Sequence, residues 1–380
     1  MPMPAEAAAA ETLLFHGSRW AGKCYLNSAA EGLPLAAAIA AAGRYLDDKS
    51  TGEPGRVPMW AEHQRCRELA GRLFSVDAAH TALVSSTTEA LNTIAQGIRW
   101  RPDDEVVFTS VEFPSNMCPW VVLTEQGVKT RVVKPREGRV EIDDLLAAVT
   151  PRTRLVTVSQ VSYATGQHLD VDALWQRLKN TDTLLCIDAT QAAGRVPVRG
   201  DRADFCVAST FKWLNSIHGA AILAVGDRAL KQDVRGPAGW FSAESCYADD
   251  RLEKFHPRND AGRYQSGMPN FDSVYALAAA LEYHTPERVA GRRTALEPLV
   301  ASLRDGLAKL GLSVLTPDAA SDRAGIVAFS CPTAADAKRQ LAERGIHVHG
   351  DDGRLRAAVH WYNTAEHIER YLVALREVLP

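Results

Sequence analysis

The sequence predicts an α/β protein: a large, doubly wound, mostly parallel sheet domain followed by a small α+β unit. Two observations carry this expectation. Between Thr81 and Val225, short apolar runs of β type alternate with helical stretches, the pattern of a parallel sheet covered by helices on both faces. Beyond about Ser273 the pattern changes to longer helical stretches around two further apolar runs, which reads as a compact α+β unit. A chain of 380 residues is long enough for both. The expected division is an N-terminal segment 1–24, a large domain 25–285 and a small domain 286–380.

The elements follow in order. Residues 1 to about 20 read as a tail that orders on the body. Leu33 to Asp48 is Ala-rich and helical in pattern. Gly52 to Pro58 holds two Pro and two Gly and reads as a loop. Trp60 to Phe74 has helical periodicity. Strands are expected at Thr81–Ser85, Glu105–Thr109, Thr130–Val133, Leu155–Gln160, Leu184–Asp188, Phe205–Ala208 and Ala220–Val225. Helices are expected between them at Thr88–Ile98, Pro119–Gln126, Ile142–Ala148 and Val171–Leu178. An Ala-rich helix at Ser273–Tyr283 leads away. Helix Leu299–Leu310, strand Ile326–Ser330, helix Ala334–Glu343, strand Leu355–Val359 and helix Ala365–Val378 complete the chain.

Composition narrows the function classes. Apolar residues make up 46% and charged residues 23%, an ordinary globular balance that excludes a disordered chain. The formal net charge of -3 gives no electrostatic case for nucleic acid or an anionic membrane as partner. No apolar run approaches the ~20 residues of a membrane helix. Met1 to Thr12 is Ala-rich and acidic and lacks the basic-then-apolar order of a signal peptide. The seven cysteines are scattered, with no C-x-x-C pair. That argues against a disulfide framework and a metal site, and for reduced thiols in a cytoplasm.

Five short segments carry candidate chemistry. S-S-T-T-E-A, Ser85 to Ala90, sits at a strand-to-helix turn. Free N–H groups and the hydroxyls of Ser86, Thr87 and Thr88 can bind an anion there, although a Thr before Glu is also a plain helix cap. L-L-C-I-D-A-T-Q-A-A-G, Leu184 to Gly194, ends an apolar strand in Asp188. A buried Asp needs a partner, and a protonated pyridine nitrogen would serve; a helix cap is the alternative. A-S-T-F-K-W-L, Ala208 to Leu214, sets Lys212 between aromatics after a strand. A partly buried lysine is a nucleophilic amine; a solvated one is not. V-E-F-P-S-N, Val111 to Asn116, offers Phe113 to a flat ring or to the core. L-R-A-A-V-H-W-Y-N-T, Leu355 to Thr364, puts Arg356 on a strand, where a guanidinium can hold a carboxylate or make a surface ion pair.

In order and spacing these segments resemble the class V aminotransferase family of fold-type I pyridoxal-phosphate enzymes. That family includes cysteine desulfurases, isopenicillin N epimerase-like proteins and kynureninases. The resemblance runs from Y-L-N-S-A-A at Tyr25 to the last helix. It implies that Lys212 forms the Schiff base with the cofactor, that Asp188 pairs with the pyridinium nitrogen and that Gln191 bonds the ring oxygen. It implies Phe113 on the ring, Ser86, Thr87, Thr88 and Ser209 at the phosphate, and Arg356 at the substrate α-carboxylate. Ser28, Ala29 and Tyr163 line the substrate pocket by the same resemblance. A homodimer is implied too.

The departures are informative. The family's desulfurases carry a mobile-loop cysteine shortly before the carboxylate arginine; here His347 to Arg354 reads H-V-H-G-D-D-G-R. Cys331 lies too early. Phe211 stands where many desulfurases have His, and Met268 in S-G-M-P-N replaces the Thr that reaches a partner's phosphate. Tyr163 replaces Asn, and Y-x-T-G-Q with K-x-L-N looks more like kynureninase. The expected reaction is β-elimination on a cysteine-like amino acid or S-conjugate. The alternatives are transamination, kynureninase-like hydrolysis, epimerisation, or a catalytically idle binding protein.

Overall fold

A computed structural model describes residues 9–136, 138–232 and 234–379. Part of the expected N-terminal tail, residues 1–8, lies outside them. After a single helical turn at Ala10–Leu13, the elements in chain order are β1 (Cys24–Tyr25), α1 (Ala36–Ser50), α2 (Arg56–Leu73), β2 (Thr81–Val84), α3 (Thr87–Gly97), β3 (Glu105–Thr109), α4 (Cys118–Val122) and β4 (Lys129–Val133). Then come α5 (Ile142–Ala147), β5 (Thr153–Ser159), α6 (Val171–Leu178), β6 (Leu184–Asp188), β7 (Phe205–Ser209), β8 (Ala221–Val225), α7 (Asp227–Lys231) and α8 (Phe271–Tyr283). The last elements are α9 (Pro286–Lys309), β9 (Ile326–Ser330), α10 (Ala334–Glu343), β10 (Ile346–His347), β11 (His349–Asp351), β12 (Arg354–Ala358) and α11 (Ala365–Val378).

The main sheet has the order β2-β8-β7-β6-β5-β3-β4. Strands β3 to β7 pair in parallel, and β8 runs against both its neighbours. Its inner strands read as apolar runs because both faces are covered, whereas the edge strand β4 is largely exposed. Val106, Phe108, Leu155, Leu184 and Cys186 fill one side. Val107, Val156, Val158, Leu185 and Ile187 fill the other. A smaller antiparallel sheet, β11-β12-β9, lies in the C-terminal unit.

Three differences from the sequence reading have physical causes. Helix α9 starts at Pro286, well before the expected Leu299, and runs through Pro298. Thr285 caps it, with its hydroxyl accepting from Arg288 N–H, and Pro286 takes the first position, where no N–H is needed. Pro298 lies on the exposed face, where water serves the carbonyl it leaves unbonded. The expected helix Pro119–Gln126 is α4 followed by a 3-10 turn, Leu123–Gln126, closed by Gly127 at φ 83. The two-residue β1 was not expected; it pairs in parallel with β10. Cys24 and Leu26 thereby pack into the C-terminal core with Val327, Phe329 and Leu355.

Asn215 ties these parts together. It sits just after Lys212 in the left-handed region, φ 52. Its Nδ2 donates to the Leu33 carbonyl at 2.8 Å. Its Oδ1 accepts from His284 Nε2 at 3.1 Å and from Trp361 Nε1 at 3.0 Å. One buried amide so joins the N-terminal segment, the end of α8 and the turn after β12. Asn215→Ala should cost about 3 kcal/mol, since it strands two buried donors and strains the backbone. Asn215→Gly should be about 1 kcal/mol milder. Denaturant unfolding of both variants checks this; equal losses would remove the backbone part of the explanation.

Candidate active site

Parallel strands bring their carboxyl ends to one edge, the usual ligand side of such a sheet. Here that edge gathers the turns after β2, β3, β5, β6 and β7. These turns hold Ser86 to Thr88, Phe113, Tyr163, Asp188 to Gln191, and Ser209 to Lys212.

Lys212 and Asp188 occupy neighbouring strand ends and are both buried. Burial lowers the Lys212 pKa to about 8; the Asp188 charge works against that and Arg356 adds to it. The amine lies 5.4 Å from the centre of the Phe113 ring and 5.6 Å from that of Phe211. Burial pushes the Asp188 carboxyl above its ordinary value, opposed by hydrogen bonds from Thr190. The Thr190 N–H donates to Asp188 Oδ1 at 2.8 Å.

Several hydroxyls gather near the start of α3. Thr87 is buried and its hydroxyl lies 3.4 Å from that of Thr190. Thr190 Oγ1 accepts from the Ser209 N–H at 3.2 Å. The Ser209 hydroxyl is buried and has no hydrogen-bond partner. Ser86 is the N-cap, its hydroxyl accepting from Glu89 N–H at 3.1 Å. Thr88 is exposed and bonds Ser115 at 2.8 Å. The cap reading of S-S-T-T-E-A holds for Ser86, while the Thr87 hydroxyl faces Thr190 instead.

Arg356 approaches from β12. Nη1 donates to the Tyr163 carbonyl at 2.6 Å, and Nε is buried with no partner. Burial lowers its pKa to about 10. Tyr163 also meets Phe113 edge-on, with ring centres 5.2 Å apart. Ala29 and Ser28 are buried beneath this group. The Ala29 carbonyl accepts from Gln191 Nε2 at 2.9 Å, and Ser28 bonds the hydroxyl of Tyr362. Gln191 Oε1 accepts from Trp213 Nε1 at 2.6 Å, so its amide is fixed and keeps one N–H unspent. Gly32 admits no side chain, because a Cβ there would strike the Lys212 carbonyl.

Sequence reasoning missed several neighbours. Thr190 stood in the quoted D-A-T-Q run but was not singled out. Glu112, beside Phe113, is buried and accepts from Thr109 (3.0 Å), Asn116 (2.9 Å) and the Ser159 N–H (3.0 Å). Those donors fix the turn that presents Phe113. Glu31 pairs with His218 at 3.3 Å, and His218 stacks on Phe211 at 4.1 Å. No local motif marks that pair. Among the described residues no cluster of His, Cys, Asp or Glu fits a metal ion, and no helix is long and apolar enough to cross a membrane.

A family model described as Aminotransferase class-V matches residues 24–371. A probable cysteine desulfurase of Methanothermobacter thermautotrophicus is 27% identical over 83% of this chain and 83% of its own length. An uncharacterized aminotransferase of Bacillus subtilis is 27% identical over 81% of this chain and 82% of its own. Among solved structures, a cysteine desulfurase from Thermococcus onnurineus matches with a TM-score of 0.87 at 22% identity, covering 100% of this chain and 98% of that one. The cystine C–S lyase C-DES, solved with its reaction product cysteine persulfide, matches with a TM-score of 0.86 at 21% identity, covering 96% and 100%. These two share the fold.

The buried amine has a consequence for stability. Its pKa of about 8 in the folded chain lies below the unfolded value, so between roughly pH 8 and 10.5 the unfolded chain binds more protons. This group therefore adds stability as pH rises through that window. Cofactor-free Lys212→Met should lack that increment relative to cofactor-free wild type, as unfolding at the two ends of the window would show. Parallel stability profiles would contradict the lowered pKa.

Proposed function

The chain belongs to the aminotransferase class-V family and is thereby a pyridoxal-phosphate enzyme, and from that premise we propose that it is a C–S lyase. It would catalyse β-elimination on a cysteine-like amino acid or cysteine S-conjugate. One observation carries the choice. The β10–β12 segment lacks the cysteine that accepts sulfur in the family's desulfurases, while the amine, buried carboxylate and carboxylate-binding arginine are present. Cys331 does not replace it: it is buried in the C-terminal core, with its sulfur 3.7 Å from the Thr333 hydroxyl.

The residues fit the cofactor. Asp188 is a buried carboxylate in want of a cation, which the ring nitrogen would supply. Ser209 has an unpartnered buried hydroxyl beside Thr87 and Thr190, at the start of α3. These three, with Ser86 and Thr88 completing the helix start, would hold the phosphate. Phe113 would cover one ring face, and the spare Gln191 N–H would serve the ring oxygen. Pyridoxal phosphate, when bound, supplies an aldehyde that condenses with amines and a ring that takes up electron density from Cα.

The chain's own groups do the rest. Arg356 Nε would bind the substrate α-carboxylate and set the Cα–H bond for attack. Lys212, once released, would take the α-proton at Nζ; its lowered pKa keeps a neutral fraction near neutrality. The Cβ–S bond then breaks with its electron pair leaving on sulfur, and the proton held at Lys212 can follow. With one water, the products are a thiol, ammonia and a 2-keto acid. Tyr163, Ala29 and Ser28 shape the pocket wall. The reading includes a homodimer, since Tyr247, Leu252 and Met268 expose apolar surface between α7 and α8 that a second copy would cover.

The test is an absorbance spectrum of the purified protein before and after S-methylcysteine. A yellow band that shifts, with keto acid released and no keto-acid co-substrate needed, supports elimination. Product only with a keto-acid co-substrate would replace elimination by transamination. Lys212→Ala should abolish turnover and borohydride trapping of the cofactor; retention of either sinks that assignment. Arg356→Ala should weaken amino-acid binding roughly tenfold or more with cofactor occupancy intact. Loss of cofactor instead would show the arginine misplaced.

A further inference from the structure

Arg356 is not alone on its face of β12. Side chains alternate along a strand, so Arg354 projects to the same side, about 7 Å away. Tyr163 bridges the two. Its carbonyl accepts from Arg356 Nη1 at 2.6 Å, and its hydroxyl lies 3.4 Å from Arg354 Nη2. The Arg354 guanidinium sits 5.3 Å from the Tyr163 ring centre, and that of Arg356 sits 6.0 Å away. The tyrosine therefore holds two cations in a row, one buried and one partly exposed.

Arg354 is weakly compensated. Its one carboxylate partner among the described residues is Asp352, at 3.5 Å, whose side chain is 71% exposed at the hairpin tip. Such exposed pairs contribute little and yield readily to a better ligand. Asp351, opposite Arg354 across the hairpin, is also exposed, and its Oδ1 accepts from the Asp352 N–H at 2.9 Å. The Arg354 side chain itself is only 19% exposed, so it is held against Tyr163 rather than free in solvent. A neutral S-alkyl cysteine gives this second guanidinium nothing to bind.

We propose that Arg354 is a specificity-determining residue that binds a second negative group on the substrate. The substrates are then S-substituted cysteines whose far end carries a carboxylate. The α-carboxylate would lie on Arg356 and the distal one on Arg354, with the scissile Cβ–S bond between them. This rests on the C–S lyase reading for the nature of the substrate, and on β12 alone for the second anion.

Two probes of nearly equal shape separate the possibilities: S-carboxymethyl-L-cysteine and S-carbamoylmethyl-L-cysteine, which differ by one charge. Each is titrated into the holoenzyme by absorbance while keto acid is followed in the same sample. The carboxylate should bind roughly tenfold tighter in wild type, and the two should fall within about threefold in Arg354→Gln. Arg354→Lys should recover part of the preference. Equal affinities in wild type, or a preference that survives Arg354→Gln, would overturn the assignment. Selective binding without keto acid would keep the second subsite and remove the lyase reading. Keto acid from both probes at equal affinity would do the reverse, and a spectrum that neither probe perturbs would remove both.

Discussion

Everything at this edge of the sheet depends on keeping one amine and one carboxylate dry, on neighbouring strands, without letting them neutralise each other by direct contact. Asp188 ends β6, Lys212 follows β7, and the two strands run in parallel register. Burial pushes both groups toward their neutral forms, while their mutual attraction opposes it. Each therefore stays reactive, and each wants a third party between them. A flat cation with an aldehyde, as proposed above, would satisfy both demands at once. The surrounding aromatics, hydroxyls and guanidiniums make sense as the lining of that gap.

Holding such a gap open requires stiffness, and the stiffness comes from outside the sheet. Gly32 packs without a side chain against the Lys212 carbonyl, and its N–H donates to the Phe211 carbonyl at 2.9 Å. Trp213 bonds Gln191 on one side, and its carbonyl is 3.1 Å from His360 Nε2 on the other. Asn215 adds its three bonds. The lysine turn is thus clamped by the N-terminal segment, by β6 and by the C-terminal unit. A flexible turn would let the amine reach solvent and regain its ordinary pKa.

Much of this was legible in the sequence. The apolar runs of β3, β5, β6 and β7 declared buried parallel strands, and the polar residues ending them declared the edge where chemistry sits. Asp188, Lys212 and Arg356 stood out because each is a charged residue directly after or within an apolar run. What stayed hidden was of two kinds. Helix α9 was read short because Pro298 looks like a stop, although on an exposed face it is tolerated. The Thr190–Ser209, Glu112–Ser159 and Arg354–Tyr163 contacts were hidden because they arise across strands, and a sequence displays neighbours only along the chain. The S-S-T-T-E-A run is a middle case, since cap and anion site share the same residue types and only coordinates divide the labour.

The clamp has a bearing on how the protein is made. The Asn363 side chain bonds the Tyr25 carbonyl across 338 residues, and β1 pairs with β10, its one strand partner among the described residues. The turn that carries Lys212 cannot acquire its full set of contacts while the C-terminal unit is still inside the ribosome. A nascent chain can build the large sheet early, yet the Lys212 turn stays unset until β12 and the residues that follow it have emerged. Emergence of the C-terminal unit thus completes the enclosure: a chain that stops short of it would carry the lysine without the contacts that bury it.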